Sequence, residues 1–266
     1  MKKSMYLTDF ESILVEKKHH HAVVRLNRPA VRNSFHPKMI SEITEAFKKL
    51  NLMKDLRCIV LRGEGKTFCS GADLNWMQEM VKYNLEKNKK DSAKLYDMFA
   101  AVRNSLAPVI AAVHGGMYGG ALGFLACADL VIANQESTFC FSEVKLGISP
   151  AVISEFILEK VSLAQVQPFM LSAEPFDVTR AMQMGLVHFK VTTADFEKEL
   201  IDKIKLFNDN GIEAVAATKK LLQKVNAKKN QKLLVTKVIS ERRVSKEGQE
   251  GIKSFLQKRS PSWKMI

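Results

Sequence analysis

The chain has 266 residues, of which 46% are hydrophobic and 26% are charged. This balance is typical of a soluble globular protein, and the length accommodates one large domain or a domain with an appendage. Lysine and arginine number 41 against 28 acidic residues, which gives a formal net charge of +13. Such an excess favours an anionic partner, either nucleic acid or a phosphorylated small molecule, although a lysine-rich proteome explains it equally well.

Three features argue against secretion or membrane insertion. The first residues become acidic before the apolar stretch of a signal peptide could form. The longest apolar stretch, 117–133, contains Asp129 and is shorter than the ~20 residues that a spanning helix needs. The four cysteines show no Cys-x-x-Cys spacing, so we expect reduced, buried thiols in a cytoplasmic protein. They are Cys58, Cys69, Cys127 and Cys140.

Strand and helix patterns alternate along most of the chain. Residues 82–91 are almost wholly polar, and we expect a surface loop there. The alternation predicts an α/β fold built from repeated units. The predicted elements, in order, are a hairpin at 12–27, a helix at 37–51, a strand at 56–65, a helix at 91–106 and strands at 108–113, 128–133 and 138–144.

The composition changes near residue 195. Beyond it, lysine-rich segments with helical periodicity follow one another to the end of the sequence. We therefore predict an α/β core over 1–195 and a helical segment over 196–266.

Two glycine-bearing turns follow apolar strands, at 66–77 and at 114–124. The second contains Gly115, Gly116, Gly119, Gly120 and Gly123. A glycine inside a helix costs ~1 kcal/mol relative to alanine, so this cluster needs a reason. The turns could present two main-chain N–H groups to one carbonyl oxygen, as in an oxyanion hole, or they could permit close helix packing. The spacing alone leaves both explanations open.

Several motifs together resemble the enoyl-CoA hydratase/isomerase (crotonase) superfamily. They are "VVRLNRPAVRNSF" (23–35), "FCSGADLNWM" (68–77), "PVIAAVHGGMYGGALGFLACADLVIA" (108–133), "FCFSEVKLGISP" (139–150) and "EGIKSFLQKRSPSW" (250–263). They cover nearly the whole chain in the family's order. The resemblance implies a crotonase-type spiral of ββα repeats with a C-terminal helical segment. It also implies assembly as a homotrimer or a dimer of trimers, and an acyl-CoA thioester as ligand.

By position, the resemblance implies that the main-chain N–H groups of Ala72 and Gly120 form the oxyanion hole. Other residues are implied to bind CoA, some beside the first glycine turn and some in a basic tail that reaches CoA phosphates, often those of a neighbouring subunit. They are Arg28, Ser70, Gly71, Asp73, Lys258 and Arg259. For the basic residues, a solvated surface charge is the alternative. No cofactor beyond the CoA moiety is implied, and the sequence shows no metal-ligand set.

Glu143 is the candidate acid/base, because it follows an apolar strand and lies in an apolar stretch of sequence. Burial among apolar groups raises the pKa of a carboxyl group, which suits proton transfer near neutral pH. Glu143 also matches the second of the two catalytic glutamates of family hydratases. A surface glutamate in a turn is the alternative interpretation.

Gly123 stands where family hydratases commonly carry their first glutamate. With one glutamate, two reactions remain open. In hydration, Glu143 alone activates water and returns a proton to the α-carbon; in isomerisation, it moves a proton between carbons. The motifs at 71–77 and 141–154 are similar to bacterial hydratases of the methylglutaconyl-CoA group, which act on branched and carboxylated enoyl-CoAs and also tend to lack the first glutamate. This favours hydration, and we hypothesise that Gly123 widens the pocket for a β-methyl branch.

Two other functions are weaker alternatives, namely RNA or other nucleic-acid binding and CoA binding without catalysis. The lysines of 218–232 have ordinary helical spacing and no interleaved aromatic residues for base stacking. Loss of catalysis is disfavoured because Glu143 and both oxyanion positions are present. The sequence leaves open the acyl chain length and branching, the pathway (fatty acid or branched amino acid breakdown) and the choice between trimer and hexamer.

Overall fold

The computed structural model describes residues 5–6, 10–227, 246–247, 250, 254 and 257–262. The strands are β1 Met5–Tyr6, β2 Ile13–Lys18, β3 His21–Leu26, β4 Cys58–Gly63, β5 Val109–Val113, β6 Gly116–Tyr118, β7 Leu130–Asn134, β8 Thr138–Cys140, β9 Phe176–Asp177 and β10 Phe189–Val191. The helices are α1 Pro37–Leu50, α2 Leu74–Met80, α3 Leu85–Arg103, α4 Gly123–Cys127, α5 Ala151–Lys160, α6 Leu163–Ser172, α7 Val178–Met184, α8 Phe196–Asn208 and α9 Ile212–Ala227. Short 3₁₀ turns occupy Pro29–Val31, Gly119–Leu122 and Glu143–Leu146.

The strands form two separate sheets. The larger sheet has the order β1-β2-β3-β4-β5-β7-β10, and it is parallel from β3 onwards. The smaller sheet has the order β6-β8-β9. From β5 to β8, successive strands alternate between the two sheets, so the chain advances as a spiral. The predicted α/β class is therefore confirmed, as is the predicted hairpin, which is the antiparallel pair of β2 and β3.

The main core lies between the large sheet and the helices on one of its faces. Strand β5 is buried along its whole length, as expected of a parallel strand that is covered on both sides. Helix α1 begins at Pro37, a favoured first position because proline has no N–H to leave unpaired. The buried side of α1 consists mainly of Met39, Ile40, Ile43, Ala46, Phe47 and Leu50. The predicted helix at 37–51 is thus confirmed.

The opposite face of the large sheet is covered by α8. Its buried residues Phe196, Leu200 and Ile204 pack against side chains of the central strands, including Val60 and Ile132. The proposed division at residue 195 stays a prediction, and most of the segment beyond α9 lies outside the described residues. In the described part of the chain, no helix is both long and apolar enough to cross a membrane.

The expected loop at 82–91 is wrong, because α3 begins at Leu85. Asn84 caps the helix through a side-chain oxygen that accepts a hydrogen bond from the N–H of Lys87 at 2.9 Å. The glutamate and the three lysines over 86–90 are good helix formers and face solvent. The helix therefore starts about two turns earlier than its apolar periodicity indicates.

The buried carboxylate of Glu42 joins α1 to the segment before β2. Only 4% of this residue is exposed. Its two oxygens accept hydrogen bonds from the main-chain N–H groups of Glu11 at 3.0 Å and Ser12 at 2.8 Å. Both carboxylate oxygens are therefore used to fix the start of the hairpin.

We expect Glu42→Gln to lower the free energy of unfolding by about 1–3 kcal/mol, because an amide NH₂ group replaces one acceptor of a buried N–H. Glu45→Gln is the matched control, since Glu45 is exposed on the same helix and pairs with Lys49. Its loss should stay below about 0.5 kcal/mol. Urea unfolding followed by circular dichroism measures both, and equal losses would contradict the assignment.

Candidate active site

The first glycine turn connects β4 to α2. The N–H of Phe35 donates to the carbonyl oxygen of Gly71 at 2.7 Å, and the N–H of Asp73 donates to the carbonyl oxygen of Phe35 at 2.8 Å. In this parallel bridge, the N–H of Ala72 takes no part. Ala72 is thus held from one side by Phe35 through a bridge that does not use the Ala72 N–H.

The second glycine turn connects β6 to α4 through the 3₁₀ turn Gly119–Leu122. Gly119 has a φ of +53°, and a Cβ there would lie 3.3 Å from both Oε1 of Glu143 and Oγ of Ser142. Gly120 follows in the first 3₁₀ turn, where main-chain N–H groups have no acceptor in the same turn. The positive φ favours glycine at 119, and a Cβ there would press against the side chains of Glu143 and Ser142.

The two glycine turns contact each other. Gly71 has a φ of +93°, and a Cβ on it would lie 2.7 Å from the carbonyl oxygen of Tyr118. Immediately beyond these atoms, Ala72 and Gly120 line one cavity of about 1020 Å³, together with Phe35 and Glu143. The structure therefore brings the three predicted catalytic positions to the same cavity.

Glu143 begins the 3₁₀ turn Glu143–Leu146 and is 9% exposed. Its Oε2 has no hydrogen-bond partner among the described residues. Burial raises the pKa of this carboxyl group, and the main-chain N–H of Glu143 itself works in the opposite direction. An acid that lines a cavity, is little solvated and titrates above its ordinary range has the properties of a general acid/base.

Gly123 does not widen the cavity, so that hypothesis is wrong. It is buried in the core and is not among the residues that line the cavity. A Cβ on it would lie 2.6 and 2.7 Å from two ring carbons of Phe99, and 2.8 Å from a methyl carbon of Ile153. The space that a longer side chain would need at this position is already filled.

Arg28 and Asp73 bind each other behind the first glycine turn. A guanidinium nitrogen of Arg28 lies 2.9 Å from Oδ2 of Asp73, and another donates to the carbonyl oxygen of Ser34 at 2.7 Å. Oδ1 of Asp73 caps α2 by accepting from the N–H of Asn75 at 2.9 Å. Burial acts to raise the pKa of Asp73, but these donors hold it below its usual value. The pair braces Ala72, and its predicted contact with CoA stays a prediction.

The other predicted CoA-binding residues lie in two places. Ser70 and Gly71 belong to the first glycine turn, where the N–H of Ser70 donates to the carbonyl oxygen of Arg32 at 3.0 Å. Lys258 and Arg259 are exposed in the C-terminal segment and do not line the cavity. Arg259 forms a two-pronged ion pair with Glu250, with N–O distances of 2.7 and 2.8 Å. Their role toward CoA phosphates stays a prediction.

One wall of the cavity is formed by two helices, and its α3 part was not predicted from the sequence. Helices α2 and α3 supply it, and its members include Trp76 and Met80 from α2 and Asp91 and Leu95 from α3. Asp91 lies where the predicted loop at 82–91 meets the predicted helix at 91–106, so its position well inside α3 was not predicted. The start of α3 at the Asn84 cap was the signal that would have revealed it.

Comparison with known proteins finds relatives in sequence and in structure. Residues 16–265 match the family model of enoyl-CoA hydratase/isomerase. The Alternaria alternata protein named enoyl-CoA hydratase AKT6-1 is 30% identical over 195 residues, which are 73% of this chain and 63% of that protein.

Two solved structures extend the likeness over almost all of the chain. An enoyl-CoA hydratase from Shewanella pealeana superposes with a TM-score of 0.91 at 32% identity, covering 96% of this chain and 97% of the other. An enoyl-CoA hydratase/isomerase from Marinobacter aquaeolei gives 0.89 at 29% identity, with 96% and 99% covered. These likenesses confirm the predicted crotonase fold, and the chain belongs to the enoyl-CoA hydratase/isomerase family.

Proposed function

We propose that this protein is an enoyl-CoA hydratase, a hydro-lyase that adds water across the 2,3 double bond of an enoyl-CoA thioester. The observation that carries the proposal is the convergence of Ala72, Gly120 and Glu143 on one cavity. The cavity is large enough for an acyl group with the adjoining part of its CoA carrier. The proposed reaction uses no cofactor beyond the CoA moiety of the substrate.

In this proposal the thioester oxygen accepts hydrogen bonds from the N–H groups of Ala72 and Gly120. Negative charge develops on that oxygen as water attacks the β-carbon. Donors fixed before the reaction stabilise this charge without reorganising, and loss of one such donor typically costs about 3–4 kcal/mol. The positive end of the 3₁₀ turn at Gly119–Leu122 adds to the stabilisation.

Glu143 carries the proton transfers. Its ionised carboxylate takes a proton from water while the water oxygen bonds to C3, and the protonated acid then gives a proton to C2. The product gains one hydroxyl and one hydrogen, so the atoms balance. A pKa raised by burial brings the two protonation states of Glu143 closer in free energy near neutral pH.

Isomerisation by the same glutamate is the second candidate. Residue 123 is glycine, so no second carboxylate stands at that position to hold water. Glu143 alone could instead move a proton between C2 and C4 of the acyl chain. The homotrimer or dimer of trimers and the cytoplasmic location stay predictions.

Incubation with a panel of 2-enoyl-CoAs and 3-enoyl-CoAs in ¹⁸O-labelled heavy water distinguishes the two reactions. We expect one ¹⁸O atom and one deuterium in the product of each 2-enoyl substrate that reacts, measured by mass spectrometry. Bond migration with deuterium but without ¹⁸O would establish an isomerase instead. If no substrate gains ¹⁸O or deuterium and no double bond migrates, catalysis of either kind is rejected.

We expect Glu143→Gln to reduce kcat about 10²–10⁴-fold, because the amide cannot exchange a proton. In the wild-type protein, kcat/KM should fall as the pH decreases through a pKa above the ordinary value of 4.5. Glu174→Gln, at an exposed position away from the cavity, is the matched control and should retain full activity. Retained activity of Glu143→Gln would transfer the acid/base role to another residue.

The same substitution has a predicted effect on stability. Because folding raises the pKa of Glu143, the folded state binds this proton more tightly than the unfolded chain. The ionised carboxylate therefore destabilises the fold at neutral pH, and this penalty disappears as the pH falls below the unfolded value. Glu143→Gln should raise the free energy of unfolding near pH 7, with a smaller gain in mild acid.

We expect Gly123→Ala to lower the free energy of unfolding by about 1–3 kcal/mol, because its Cβ would overlap the Phe99 ring. The same substitution made in a Phe99→Leu variant should lower the free energy of unfolding by less, because the ring that its Cβ would overlap is no longer there. Gly123→Glu should lose stability without gaining hydration activity. A rise in activity for Gly123→Glu would show that this corner opens to water.

A further inference from the structure

Two neighbouring residues in the turn before α1, Arg32 and Asn33, have left-handed backbones. Their φ angles are +53° and +54°. Few residues other than glycine adopt this conformation, and asparagine is among those that tolerate it best. Asn33 is also fully buried and does not line the cavity. Strained backbone beside a candidate site persists only where the surrounding contacts hold it in place, so the contacts of Asn33 indicate its role.

The side-chain amide of Asn33 joins two segments that are far apart in sequence. Its Oδ1 accepts a hydrogen bond from the main-chain N–H of Arg28 at 2.8 Å. Its Nδ2 donates to the carbonyl oxygens of Glu64 and Thr67, both at 2.8 Å. Both amide hydrogens are therefore used, and all partners are main-chain groups. Asn33 thus ties the turn that begins at Arg28 to the loop that follows β4.

The residues next to Asn33 hold the main chain around Ala72. The N–H of Ser70 donates to the carbonyl oxygen of Arg32 at 3.0 Å. Phe35 pairs with both neighbours of Ala72, through its N–H and its carbonyl oxygen. The position of the Ala72 N–H is consequently set by the short segment that Asn33 anchors.

The loop that Asn33 holds also contacts the second glycine turn. Gly115 has a φ of +66°, and a Cβ on it would overlap the carbonyl oxygen of Lys66 and lie 3.1 Å from Cα of Thr67. Thr67 is one of the two residues whose carbonyl oxygens accept from Asn33. One buried amide therefore braces the main chain of the first turn and the loop against which the second turn rests.

We propose that Asn33 is a positioning residue for the oxyanion hole, because it fixes the main-chain N–H of Ala72 relative to that of Gly120. Asn33 touches no substrate in this role and transfers no proton. Its loss would let the Ala72 donor move away from the thioester oxygen, and such donors stabilise charge only when they are in place before the reaction. The inference rests on the proposed function, because it takes a thioester oxygen as the acceptor of both N–H groups.

Two variants test this role. Asn33→Gly tolerates the positive φ and removes all three side-chain hydrogen bonds, whereas Asn33→Asp keeps the acceptor for Arg28 and removes both amide donors. In each, we expect kcat for 2-enoyl-CoAs to fall about 10–100-fold while KM changes less than about threefold. Full kcat in Asn33→Gly would show that only the backbone conformation matters and would overturn the proposal. If neither variant folds, the residue is needed for folding as a whole and the proposal falls.

The carbonyl group of a bound thioester reports the oxyanion hole directly and without turnover. Butyryl-CoA and octanoyl-CoA cannot be hydrated, and both can be labelled with ¹³C at the thioester carbonyl. Infrared difference spectroscopy then measures how far binding lowers the carbonyl stretching frequency, because hydrogen bonds to the oxygen polarise the bond. We expect both Asn33 variants to lose about half or more of the shift that the wild-type protein shows. An unchanged shift would overturn the proposal.

Glu42→Gln is the matched control. Glu42 is also buried, accepts from two main-chain N–H groups and does not line the cavity. This variant should lose stability, as predicted above, and leave kcat and the carbonyl shift unchanged. Equal losses of kcat and of the shift in Glu42→Gln would assign the effect to general destabilisation and reject the role of Asn33.

The outcome is separable from that of the proposed hydration. If the wild-type protein shows the carbonyl shift, the Asn33 variants lose it and no enoyl-CoA is hydrated, the positioning role stands and the hydratase proposal falls. If hydration occurs and the variants behave like wild type, or the wild-type shift is absent, only the role of Asn33 is rejected. If the wild-type protein shifts neither carbonyl and hydrates no enoyl-CoA, both fall.

Discussion

The close approach of two main-chain turns is the constraint on which the candidate site depends. Strands β4 and β5 are parallel, hydrogen-bonded neighbours, so their carboxyl ends meet at the same edge of the large sheet. Strand β4 leads into the first glycine turn, and β5 leads through the short strand β6 into the second. The turns can contact only because Gly71 has no side chain between its backbone and the carbonyl oxygen of Tyr118. Any larger residue there would push Ala72 and Gly120 apart, and the two oxyanion donors of the proposed function would no longer meet.

Much of this arrangement could be predicted from the sequence, because the responsible signals are local. A few adjacent residues indicate each of three features, namely the glycine turns, the start of α1 at Pro37 and the apolar setting of Glu143. The part of the cavity wall that α3 forms was not predictable in the same way. The first two turns of α3 are solvated and lack an apolar stripe, so the Asn84 cap alone marks the start of this helix. The packing of Phe99 against Gly123 was also hidden, since the two residues are far apart in sequence and meet only in the folded core.

The proposed reaction uses one acid of the cavity, Glu143. Glu143 supplies an acid on one side of the predicted thioester position, whereas Phe99 and Ile153 make the region around Gly123 apolar. The predicted likeness to hydratases of carboxylated substrates rests on the motifs at 71–77 and 141–154, which contain Ala72 and Glu143 and also Trp76. Asp91 lies outside these motifs, on the wall that would contact the variable part of an acyl group in the proposed function. Likeness at the reacting centre therefore says little about the far end of the ligand.

Helix α3 performs two tasks that are separated along its length. Its last two turns place Met98, Phe99 and Val102 in the core, while its earlier turns carry Asp91 and Leu95 to the cavity and charged residues to solvent. Substitutions in the earlier turns meet few core neighbours, so the barrier to accepting them is low. Single substitutions in the earlier turns of α3 can therefore change which ligand the cavity prefers, while the last two turns keep the packing of the core unchanged.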